Sequence, residues 1–288
     1  MNKHIFLLLA MALATTLVFG FQMTFADTAS GNVSITNAAP TMGPVTLWDE
    51  VGANATIDLS AGSTVTVTAN VTVTDTNGGT NIASAAATLY HSTNTSADVD
   101  NENVHLTNSS CALGTASGND RVATCSFTMN YMALNGTWTA NITATDLGSA
   151  SVSATDTNTV STLLGLDVTN TVIEFGGMAL GTNTTTPTTM TVQNLGNILI
   201  DAQFNGGNYS CTSGTIPATN TKYGLTGANY DALGTGLTEG DVTQEGFDLT
   251  YRTGGTNSTK NELWGILIPT TGVSGTCSNT LTVTAIAG

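Results

Sequence analysis

Positive charge is nearly missing from this chain: 5 lysines and arginines stand against 20 aspartates and glutamates in 288 residues. Lys3 lies at the start, which leaves Arg121, Lys222, Arg252 and Lys260 for everything else. A protein that tracks phosphates needs a basic stripe, so the composition argues against nucleic-acid binding, and against anionic membrane surfaces for the same reason. Histidine is scarce as well. After His4 only His91 and His105 remain, neither in a nucleophile context. There is no G-x-S-x-G elbow, no H-E-x-x-H, no P-loop and no G-x-G-x-x-G behind a strand. The expectation is a protein without catalysis. Charged residues make up only 9 % of the chain, but 40 % of residues are apolar, which is too hydrophobic for disorder.

Long amphipathic helices are absent too, and what replaces them is alternation. In Ser63-Thr-Val-Thr-Val-Thr-Ala-Asn-Val-Thr-Val-Thr-Asp75, Val65, Val67, Ala69, Val71 and Val73 take one parity and threonines and Asn70 the other. A strict period of two marks a strand with one face on a core and one in water. The rhythm returns at 137–145, with Trp138, Ala140, Ile142 and Ala144 inward, and at 280–287, with Leu281, Val283, Ala285 and Ala287 inward. Strands are expected near 31–36, 44–48, 55–59, 64–75, 82–90, 121–129, 136–146 and 149–154, and glycine is plentiful at 31 residues. Residues 154–162 lack bulky apolar side chains and read as a seam between domains. Beyond it, Met190 and Val192 form one strand, Ile198, Ile200, Ala202 and Phe204 another, and 262–268 a strand buried on both faces. The expected fold is all-β: two tandem immunoglobulin-like β-sandwiches, at 27–158 and 159–288.

The chain opens as a secretory precursor. Lys3 and His4 precede an uncharged apolar run over 5–21, and Thr24 and Ala26 offer small residues at −3 and −1 for cleavage before Asp27. Residues 1–26 are therefore expected to be a signal peptide, with an uncleaved N-terminal anchor as the alternative. No C-terminal membrane anchor is expected, and the protein is placed outside the cell, secreted or at its surface. Four cysteines in an exported chain point to disulfides. Of three connectivities, Cys111–Cys125 with Cys211–Cys277 is preferred because it puts one bridge in each half. Ten Asn-x-Ser/Thr sequons, at Asn32, Asn54, Asn70, Asn94, Asn108, Asn135, Asn141, Asn183, Asn208 and Asn257, fit glycosylation of a Thr-rich outer face.

One acidic run is a metal candidate. Asp98, Asp100 and Glu102 lie in the long loop between Tyr90 and Cys111, flanked by His91 and His105. Calcium takes six to eight hard oxygens, and a D-x-D-x-E run supplies three. The glycine and closing glutamate of an EF-hand are missing, so residues elsewhere would have to complete the site. No other cofactor is expected.

Asn37-Ala-Ala-Pro40, the 71–79 stretch and Gly136-Thr-Trp-Thr-Ala-Asn-Ile-Thr-Ala-Thr-Asp146 resemble the immunoglobulin-like modules of archaeal cell-surface proteins. Ile173-Glu-Phe-Gly-Gly-Met-Ala-Leu-Gly181 with Met190-Thr-Val-Gln-Asn-Leu-Gly-Asn197 resembles the pattern of ASPM/SPD-2/Hydin-type immunoglobulin-like domains and of TasA-type fibre proteins. The resemblance implies scaffolding or attachment without catalysis, and a structural use for the glycines and for Asn194. Expected partners are other envelope proteins, glycans or copies of the chain itself. One alternative is a fibre subunit whose segment from Asp27 to Ile35 completes the next sandwich. Another is a carbohydrate-binding module, which needs exposed aromatics; of Trp48, Trp138 and Trp264, the last two read as core.

Overall fold

A computed structural model describes residues 29–50 and 56–288. The expected signal segment 1–26 and the sequon at Asn54 lie outside the described residues. Residues 29–36 form no strand and belong to a different unit from the compact body Asn37–Gly288. The expectation of a strand at 31–36 is thus overturned: Val33 and Ile35 alternate correctly, but among the described residues no strand pairs with them.

The first ten strands are β1 (Thr41–Met42), β2 (Thr46–Asp49), β3 (Thr56–Ile57), β4 (Thr64–Thr74), β5 (Ile82–His91), β6 (His105–Asn108), β7 (Ala112–Leu113), β8 (Asp120–Asn130), β9 (Gly136–Asp146) and β10 (Ser151–Val160). One sheet has the order β1-β4-β8-β7, with β2 also on β4; the other runs β3-β10-β9-β5-β6. All pairs are antiparallel except β3 with β10. Val67, Ala69, Val71 and Val73 of β4 meet Ala123, Phe127 and Met129 of β8, and all face Leu89 of β5 and Trp138, Ala140 and Ile142 of β9. The two sheets thus close on one core, as the alternation requires. Strand β10 takes in residues 154–160, which composition assigned to a connector. Its inward positions Val152, Ala154, Asp156 and Asn158 are only half-buried, and Asn158 donates to the Leu47 carbonyl at 3.0 Å. Among the described residues only the two-residue β3 pairs with its far side, so small and polar side chains suffice there.

The remaining strands are β11 (Leu166–Val168), β12 (Thr188–Asn194), β13 (Ile200–Gly206), β14 (Tyr209–Ser213), β15 (Thr215–Ile216), β16 (Thr221–Gly224), β17 (Thr235–Gly236), β18 (Val242–Thr243), β19 (Thr259–Ile266), β20 (Ser274–Ser278) and β21 (Leu281–Ala287). They make three sheets: β11-β12-β19-β16-β17, β18-β13-β21 and β15-β14-β20. The first two pack around Val192, Phe204, Tyr223, Phe247 and Trp264. Phe204 meets Tyr223 and Trp264 edge-on, at 5.1 and 5.5 Å between centroids, an arrangement that aromatic quadrupoles favour. The third sheet covers a smaller cluster of Tyr209, Ile216 and Ile266. The architecture is all-β throughout the described residues, with 3₁₀ turns as the only helical pieces.

Asn194 and Asn197 turn the chain between β12 and β13. The Asn194 carboxamide accepts from Gly196 N–H at 2.8 Å and donates to the carbonyls of Ile198 and Leu249. Gly196 is obligatory, since a Cβ there would lie 2.1 Å from the Leu163 carbonyl oxygen. Asn197 donates to the carbonyls of Ala133 and Ser161, both at 3.0 Å, and accepts from Leu163 N–H at 2.7 Å. Its side chain therefore fastens the first core to the second.

Candidate functional site

The acidic loop is occupied with holding itself and the seam. Asp98 accepts from Asn94 and Thr95, chiefly from the Thr95 backbone N–H at 2.7 Å, and this holds its carboxyl below the usual range. Asp100 faces the other way, to His105 Nδ1 at 3.0 Å and the Thr107 hydroxyl at 2.7 Å. Glu102 lies 4.0 Å from Arg252. The three carboxylates are thus not brought together, and no group of three potential metal ligands forms among the described residues. The reason is local: turns at 92–98 and 101–104 send alternate side chains outward rather than toward one point. Within the second turn, buried Asn103 donates to the carbonyls of Met132 and Arg252 at 2.7 and 2.9 Å. His91 is likewise spent, on Thr93 and on the Asn135 carbonyl.

The cysteines pair as Cys111–Cys125 and Cys211–Cys277. The first bridge fixes the crossover between sheets, because Cys111 N–H already bonds to Ala85 of β5 while Cys125 sits in β8. The second links directly opposite residues of β14 and β20. Of the sequons within the described residues, Asn32, Asn135, Asn208 and Asn257 are exposed, while Asn70, Asn94, Asn108, Asn141 and Asn183 are half-buried. Asn70 and Asn141 sit mid-strand on the outward parity, as alternation demands. Trp138 and Trp264 are fully buried, so neither belongs to an exposed aromatic platform.

Sequence reasoning missed one surface feature. Between the edge strands β11 and β21 the second sandwich is open, and a groove of about 1180 Å³ runs into it. Its walls include Val168, the connector from Asn170 to Leu180, Met190, Ile266, Ile268, the stretch 273–280 that carries β20, and Leu281 and Val283 of β21. Strand β21 pairs with β13 on one side; among the described residues no strand pairs with its other side. Its inward residues Leu281, Val283 and Ala285 are consequently only half-buried. Across the opening, Val172 and Leu180 are 62 % and 52 % exposed, an apolar lip facing water. The connector cannot close the gap. Asn170 ties it to β12 through Thr189 and Thr191, and Gly176 and Gly181, at φ +73° and +72°, then turn it away. A signal existed in the sequence: Val172, Ile173, Phe175, Met178 and Leu180 crowd a stretch without the alternation of a strand.

No protein-family model matches the chain, and no curated protein resembles it in sequence. Solved structures with some likeness include the CsuC–CsuE chaperone–tip adhesion subunit pre-assembly complex of Acinetobacter baumannii pili. It is 8 % identical at a TM-score of 0.36, covering 80 % of this chain and 96 % of that one. The C-terminal domain of the Streptococcus agalactiae AgI/II polypeptide BspA is 11 % identical at 0.23, covering 86 % and 96 %. At these values the functional reading rests on the geometry of the chain itself. No helix among the described residues is long and apolar enough to cross a membrane.

Proposed function

We propose that this is an exported, glycosylated, non-catalytic structural protein of the cell surface, working by strand addition: its second sandwich takes an extended segment of another chain into the open groove. One observation carries the reading, the unpaired edge of β21 beside an apolar opening. An incoming strand there gains main-chain hydrogen bonds from β21 and buries alternate side chains against Val283 and Met190, the two components of β-augmentation. The two disulfides and the Thr-, Ser- and Asn-rich outer faces support an extracellular setting.

Fluorescence anisotropy with labelled seven-residue peptides of alternating valine and threonine tests the groove. The secreted chain is expected to bind them saturably, and Val283→Asp to abolish binding while leaving the circular-dichroism spectrum unchanged. Binding that survives Val283→Asp, or no binding by the parent chain, overturns the reading.

A further inference from the structure

We propose that the Cys211–Cys277 bridge is a redox clasp on the groove: a small thiol opens it, β20 lets go of β14, and uptake of an extended segment weakens. This rests on the groove being a strand acceptor and adds the control of that acceptor.

The two bridges sit in opposite surroundings. Cys111 and Cys125 are buried in the first core, at 7 % and 0 % exposure, and β8 pairs with β4 along all 11 residues of that strand. Cys211 and Cys277 are half-buried, and every other residue from Ser210 to Ser213 and from Ser274 to Ser278 is exposed. The register of β14 on β20 consists of Ser210 with Ser278, Cys211 with Cys277 and Ser213 with Ser274, interrupted by a bulge. Thr276 N–H adds one bond to the Thr212 hydroxyl at 3.2 Å. Among the described residues no second strand flanks β20. Serine, threonine and glycine bury little apolar surface, so a short edge strand made of them depends on its covalent tie.

The bridge also braces both walls of the groove. Cys277 lines the opening, and Phe175 and Met178 of the connector pack into the same small cluster as Cys211 and Cys277. Only Asn279 and Thr280 separate β20 from β21, the strand offered to the incoming segment, so freeing one slackens the other. Access sets the order of the chemistry. A thiolate entering by the groove attacks Cys277 Sγ, the S–S bond breaks, and Cys211 leaves as the thiolate. A second thiolate then displaces Cys277 from the mixed disulfide. Two small thiols are oxidised to one disulfide, the protein bridge is reduced by the same two electrons, and the two thiol protons pass to the cysteines. An occupied groove covers Cys277. By linkage, a bound strand makes the bridge harder to reduce to the degree that the bridge favours the strand.

Graded mixtures of reduced and oxidised glutathione, applied to the secreted chain and quenched by alkylation, test this. Mass mapping is expected to find Cys211 and Cys277 alkylated while Cys111 and Cys125 remain paired, and added valine–threonine peptide to lower the reduced fraction. The anisotropy titration is expected to shift to higher chain concentration on reduction and to return on reoxidation. Hydrogen exchange should quicken on reduction within 207–216 and 272–283 and stay slow in β4, β8 and β9. Cys111→Ser with Cys125→Ser is expected to keep the thiol response of binding, and Cys211→Ser with Cys277→Ser to lose it. Should either variant fail to fold, the parent chain's alkylation, anisotropy and exchange still decide. Bridges that open together or not at all, exchange that quickens throughout, or an unshifted titration once Cys211–Cys277 is open overturns the clasp and leaves the acceptor groove standing. No peptide binding by the oxidised chain overturns the groove reading, and the clasp with it.

Discussion

Glu262 sits where a β-sandwich normally places an aliphatic side chain. It is fully buried in β19, beside Lys260 and Trp264 on the core-facing parity, and neither carboxyl oxygen has a hydrogen-bond partner. Burial pushes its pKa up to about 8, against a smaller pull downward from Lys260. The neighbouring Tyr223 phenol is pushed up to about 12 by burial and then by Glu262 itself. Because the folded-state value exceeds that of a free glutamate, about 4.3, the unfolded chain gives up this proton first. The stability carried by the neutral acid is complete below about pH 4 and drains away as the pH rises toward 8. Glu262→Gln keeps the shape and removes the titration. It is expected to flatten the dependence of Tm on pH between 5 and 8 and to raise Tm by several degrees at pH 8, read by calorimetry across that range. An unchanged slope would mean that Glu262 does not carry it.

At the scale of elements, the alternating segments are the ones whose structure could be read directly. Thr64–Thr74 and Gly136–Asp146 are strands with the expected parity inward, because a half-buried strand in a sandwich obeys a period of two, whereas Leu281–Ala287 keeps it only through Ala285 and leaves Ala287, expected inward, exposed. Residues 31–36 alternate just as well and are not a strand, since periodicity reports what a segment is fit to pair with and not whether a partner is present. Residues 154–160 show the converse: a strand at a thinly covered position needs no bulky side chains. The groove was illegible because it depends on which edges are left unpaired, a property of sheet order. The acidic loop looked like a ligand set because spacing was visible and the direction of each carboxylate was not.

The disulfides act on elements too, with different leverage. Cys111–Cys125 spans 14 residues and Cys211–Cys277 spans 66. On the loop-entropy account these closures are worth about 3 and about 4 kcal/mol. Replacing the second pair by serine is expected to lower the urea midpoint more than replacing the first, and to loosen the β14–β20 sheet that backs the groove. Peptide binding should weaken with it. Loss of the Cys111–Cys125 bridge should leave binding intact at temperatures where the chain remains folded.

At the scale of the whole body, the cores around Trp138 and around Trp264 meet at a seam. That seam includes buried asparagine side chains beside a backbone bond from Gly62 N–H to the Leu195 carbonyl. Asn197 answers Ala133, Ser161 and Leu163, and Asn103 answers Met132 and Arg252. Asparagine suits the task because one carboxamide satisfies several backbone groups that the junction would otherwise bury unpaired. Asn197→Ala leaves the Leu163 N–H and two carbonyls without their partner, and each orphaned buried group costs about 1–3 kcal/mol. The substitution touches neither core, so both sandwiches should keep their own stability while losing their coupling. Calorimetry is expected to show one cooperative transition in the parent chain and two in the variant, with peptide binding by the groove preserved. A single transition merely shifted downward would show that the two cores are joined by more than these carboxamides.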